Sequence, residues 1–125
     1  MKTVLYANNM TKMGKRLENK IQEELPGIQL DILNSIEFLS QKLCQPLNRI
    51  SVIVGLISSS NELMSFIALR ALLENIRLIL VLPDRGEKMT ALGIQLNPSF
   101  ISYADNNLND IIAVLKKIQK LQLTK

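Results

Sequence analysis

The side chains of this chain that are able to do chemistry gather at the ends of its apolar runs. Ser58, Ser59 and Ser60 follow the longest run, Ile50 to Ile57. Asn8 and Asn9 follow Thr3 to Ala7, with Lys12 shortly after. Pro83, Asp84 and Arg85 follow Ile76 to Leu82, and Ala104 and Asp105 follow Ser99 to Tyr103. Hydroxyls at a helix start beside Lys and Arg can hold an anion, because the unpaired N–H groups of the first turn and the helix dipole both attract negative charge. Lys12, Ser58, Ser59, Ser60 and Arg85 are therefore the candidate anion ligands, for a nucleotide or a phosphometabolite. The same residues also serve as caps and ordinary loop polarity. No G-x-x-x-x-G-K-[ST] loop accompanies them.

Catalytic chemistry has less to work with. The chain contains no histidine, which removes the commonest general base, the commonest metal ligand and any phosphohistidine role. Its single cysteine, Cys44, excludes an internal disulfide and fits a reducing compartment. With no histidine or helix N-terminus near it in sequence to activate it, Cys44 is expected to be a small buried hydrophobe. Asp84 and Asp105 are expected to cap helices instead of forming a catalytic carboxylate pair. No cofactor and no metal site is expected.

The elements that position these groups follow from periodicity. Thr3–Ala7 reads as a first strand. Met13, Leu17, Ile21 and Leu25 recur every four residues as the inner stripe of a helix that Pro26-Gly27 stops. Ile28, Leu30 and Ile32 alternate with polar residues, the pattern of a half-buried edge strand. Ile36, Leu39 and Leu43 mark the next helix, capped from Asn34 or Ser35. Ile50 to Ile57 is apolar without alternation, as in a parallel strand buried on both faces. Ser59 and Glu62 then have capping-box spacing and open a helix expected over Asn61–Glu74. That helix is apolar almost all round, and a helix on one side of a sheet covers only one face, so Met64, Ala68, Leu69 and Leu72 are candidates for an interface. Ile76–Leu82, a short helix with Met89 and Leu92, Ser99–Tyr103, and a last helix with Leu108, Ile111, Ile112, Leu115 and Ile118 complete the chain.

Five strands alternating with five helices in 125 residues imply an α/β, three-layer, doubly wound five-stranded parallel sheet of order 2-1-3-4-5. Residues 1–125 are expected to form one domain. Hydrophobic content of 47% against 21% charged residues is that of a globular chain, and no run reaches the length of a membrane span. Net charge is +4, without a dense basic block and without Trp, so nucleic-acid binding is not expected.

This layout resembles the receiver domain of bacterial two-component response regulators across nearly the whole chain, in element lengths and spacing. Receivers keep an acidic, magnesium-binding pair after the first strand, a phosphoacceptor aspartate closing the third, a Thr or Ser ending the fourth, and Lys-Pro ending the fifth. The resemblance puts the acidic pair on Asn8 and Asn9. It puts the phosphoacceptor on Gly55, or one residue either way, and the hydroxyl on Leu82 or Pro83. The lysine falls on Tyr103, with Ala104 after it, and the aromatic position before it on Phe100. Amides carry no charge for a hard Mg²⁺, and glycine offers no nucleophile. The resemblance thus implies a degenerate pseudo-receiver of flavodoxin-like fold, a cytoplasmic, non-enzymatic signalling module that acts on a protein partner or as a homodimer. A sensor or enzyme subunit for a small anionic ligand is the alternative from a different class.

Overall fold

The computed structural model describes residues 1–8, 12–46, 49–105 and 108–123. Its strands are β1 (Lys2–Ala7), β2 (Gln29–Leu33), β3 (Val52–Leu56), β4 (Arg77–Leu82) and β5 (Phe100–Tyr103). They alternate with α1 (Lys12–Glu24), α2 (Ile36–Leu43), α3 (Ser60–Ala68), α4 (Glu87–Ile94) and α5 (Asn109–Leu123). All four strand pairings are parallel, in the order β2-β1-β3-β4-β5. The fold is the expected doubly wound one, with β3 at its centre.

Alternation along the strands sorts the core into two layers. Val4, Tyr6, Ile53 and Leu80 face α2, α3 and α4, where Leu39, Leu63 and Phe66 meet them. Leu5, Val52, Val54 and Ile79 face α1 and α5, against Leu17, Ile21, Ile111 and Leu115. β1, β3 and β4 have helices on both faces, so their sequences are continuous apolar runs. β2 lies at the sheet edge and stays half-buried, as its alternation predicts. Lys42 of α2 reaches Asp31 on this edge strand at 2.7 Å. α1 ends at a turn in which Gly27 takes φ 94°, a conformation that costs glycine nothing and other residues strain.

Three local expectations are corrected. The helix expected over Asn61–Glu74 ends as an α-helix at Ala68, and Leu69 (φ −93°, ψ 7°) begins a 3₁₀ turn over Arg70–Leu73. The tighter i→i+3 bonds, Leu69 N to Phe66 O and Leu72 N to Leu69 O at 2.9 Å each, keep Leu73 buried and leave Leu72 40% exposed. Cys44 is exposed; it is the C-cap of α2, and one step past Leu43 turns it off the buried stripe. Asp84 does not cap α4. Its carboxylate accepts the Gly86 N–H at 2.8 Å in an Asx turn, and Gly86 occupies the cap position without a side-chain bond.

Candidate functional site

In a sheet of this order the chain leaves β1 and β3 toward opposite faces, which opens a crevice beyond their carboxyl ends. The crevice holds a cleft of about 310 Å³. β1 supplies Ala7 and Asn8, and β3 and its exit supply Leu56, Ile57 and Ser58; Pro83 and Ala104 close it from the β4 and β5 side. Met13 of α1 and Val81 of β4 complete the lining. The register explains the membership: Ala7 stands beside Leu56, and Leu56 beside Val81. None of these side chains is charged, and the polar ones are Asn8 and Ser58. Hard Mg²⁺ binds through carboxylates and water, so this donor set does not fit it. Among the described residues no group of three His, Cys, Asp or Glu side chains could hold a metal ion.

Two of the positions singled out by resemblance lie elsewhere. Gly55 is inside β3 and faces α3: a Cβ there would lie 3.2 Å from Cε2 and 3.3 Å from Cζ of the Phe66 ring. The β3 residue that faces the cleft is its neighbour Leu56. Tyr103 points toward α4, with its hydroxyl 3.3 Å from Thr90 Oγ1 and the Arg85 guanidinium 4.4 Å above its ring. Ala104 stands at the cleft in its place. Asn8 and Pro83 do line the cleft, whereas Asn9 falls outside the described residues.

The candidate anion ligands are largely committed to internal partners. The Ser59 hydroxyl accepts the Glu62 N–H at 3.2 Å, as a cap should. Ser58 donates its N–H (2.9 Å) and its hydroxyl (3.3 Å) to Glu62 Oε1. The α3 N-terminus therefore already holds an anion, the carboxylate of its own third residue. In a standard capping box this carboxylate would reach the cap residue's N–H; here it reaches one residue further back. Arg85 forms an ion pair with Asp105 at 3.0 Å. Lys12 is exposed at the first position of α1, and Ser60 is half-buried at the first of α3.

Glu62 also makes a contact that sequence reasoning missed. Its Oε2 accepts the Tyr6 hydroxyl at 3.0 Å, with both residues buried. The Tyr6 ring meets Phe66 edge-on, centroids 5.0 Å apart and planes at 76°, a geometry worth about 0.5–1.5 kcal/mol beyond burial. Desolvation by burial, then the Glu62 charge and hydrogen bond, then the Glu37 charge, push the Tyr6 phenol well above its ordinary 10.0. The available signal was the tyrosine itself: a phenol in the middle of a strand buried on both faces needs a buried acceptor. Beside this network an open polar cleft of about 550 Å³ separates the starts of α2 and α3, with Ser35, Glu37, Asn61 and Ser65 on its walls.

Of the proposed interface residues, Met64 (57%), Ala68 and Leu72 (40%) are exposed, whereas Leu69 is half-buried against the core. No helix among the described residues is long and apolar enough to cross a membrane.

No protein-family model and no curated protein sequence matches the chain. Solved structures do. A CheY-like response regulator from Mesorhizobium loti superposes with a TM-score of 0.74 at 15% identity, over 94% of this chain and 97% of that one. A response regulator from Thermotoga maritima gives 0.68 at 11% identity, over 94% and 97%. A response regulator from Burkholderia pseudomallei, crystallised with a phosphorylated aspartic acid, a calcium ion and citrate, gives 0.67 at 13% identity, over 98% and 71%. At these identities the likeness is one of architecture: the chain has the fold of a response-regulator receiver domain.

Proposed function

We propose that this chain is a receiver-like regulatory module that acts by presenting a surface to a protein partner or to a second copy, without aspartyl phosphorylation and without catalytic turnover. One observation carries the reading. The cleft at the carboxyl ends of β1 and β3 is lined by Ala7, Asn8, Leu56 and Ser58, with no carboxylate among its described lining residues. Phosphoryl transfer at such a position needs a carboxylate nucleophile and a cation held by further carboxylates. Leu56 supplies no nucleophile, and Asn8 no charge. The anionic-ligand reading is weakened by the same geometry, since Ser58, Ser59 and Arg85 each hold an internal partner. What supports the surface role is the exposed apolar row of Met64, Ala68 and Leu72 along α3 and its 3₁₀ extension.

Incubation with acetyl phosphate and magnesium is expected to leave the intact mass unchanged. An acid-labile phosphate adduct would sink the proposal.

A further inference from the structure

The cleft between the β1 and β3 exits has no charged side chain among its described lining residues, yet it has the volume of a binding site. At about 310 Å³ it lies at the lower end of the roughly 300–1,000 Å³ of small-molecule pockets, which are mostly apolar with a few placed polar groups. Ala7, Leu56 and Val81 are buried walls, at most 9% exposed, and Met13 and Pro83 extend the apolar lining. An ion entering this space would shed hydration with no charged side chain among the described lining residues to replace it. Arg85 nearby is held in its pair with Asp105. Among the described lining residues the polar side chains are those of Asn8 and Ser58, and the Ser58 hydroxyl gives its proton to Glu62 Oε1 at 3.3 Å. The Ser58 oxygen can therefore only accept.

We propose that this cleft binds a small, uncharged, largely apolar molecule carrying an N–H or O–H donor, of the arylamine or phenol class. The donor bonds the Ser58 oxygen, and the apolar body lies against Leu56, Val81 and Pro83. Ser58 is tied through Glu62 to the first turn of α3, so a ligand here sits one hydrogen bond from the helix that carries Met64. Its regulatory consequence rests on the surface role proposed above; its binding does not.

The test titrates the full chain with N-phenyl-1-naphthylamine, an uncharged arylamine whose fluorescence rises when it leaves water. Saturable single-site binding is expected, with amide NMR shifts concentrated at Ala7, Asn8, Ser58 and Ala104. Ala104→Trp, at an exposed lining residue, is expected to weaken binding by about tenfold or more. Met64→Ser, on the exposed apolar row, is expected to leave it unchanged. Inorganic phosphate is expected to shift none of these amides. Absence of saturation overturns the proposal, as do shifts centred on Met64 or an affinity lost in Met64→Ser and kept in Ala104→Trp. The NMR map is made on the unmodified chain, so the site is located whether or not a variant folds. A phosphate adduct from acetyl phosphate would remove the regulatory reading and leave this binding result standing.

Discussion

The Glu62 carboxylate joins parts of the chain far apart in sequence: Tyr6 in β1, Ser58 at the β3 exit, and the helix to which it belongs. Tyr6→Phe leaves Oε2 buried without its donor, and is expected to cost about 1–3 kcal/mol at neutral pH, read from urea unfolding. The phenol also has an alkaline signature. Its folded pKa is raised above the ordinary 10.0, so its contribution is fully present below that pH. Above it the unfolded chain gives up the proton while the folded chain keeps it. Stability then falls, by up to about 1.4 kcal/mol for each further pH unit. The Tyr6→Phe protein should start lower and decline less steeply above pH 10; equal slopes in the two proteins would refute proton retention at Tyr6. The cap half of this arrangement was legible, because Ser59 and Glu62 stand three residues apart. The Tyr6 half was not, since it depends on β1 and α3 meeting across 56 residues of chain.

Among the elements, β3 shows why a position within a strand matters as much as residue type. Gly55 sits under the Phe66 ring, which is itself fully buried and edge-on to Tyr6. The ring has little room to move. Gly55→Val should overpack this contact and destabilise the fold by about 1–3 kcal/mol in urea unfolding; a stabilised or neutral variant would show that Phe66 can give way. A carboxylate built at Gly55 would meet an aromatic ring instead of the cleft. The resemblance points to Gly55 or one residue either way, and because each single step along a strand reverses the face, Leu56 is the β3 residue of that range at the cleft. The α3 segment shows the opposite case. Its apolar residues predicted a continuous helix, and the 3₁₀ turn after Leu69 reflects the docking of Leu73, which no local pattern records.

At the scale of the whole molecule, the architecture was readable because β-branched runs and amphipathic stripes alternate with short connections. The strand order then followed from right-handed crossovers. The cleft's composition was legible only in part, since which side chains line it depends on register. The exposed apolar row is tested by light scattering of the wild type against a Met64→Glu, Leu72→Glu double variant. Self-association predicts a larger mass for the wild type; equal monomeric masses would remove self-association. Met64 and Leu72 are better probes than Leu69, whose half-buried side chain packs against the core, so that its replacement would mix folding with association. The two margins of the sheet bear on the same question. β2 carries Asp31 beside Lys42 along one margin, and β5 at the other is four residues long. Short or charged outer strands are poor templates for strand addition. Such a molecule is a poor template for stacking into ribbons or fibrils through its main chain.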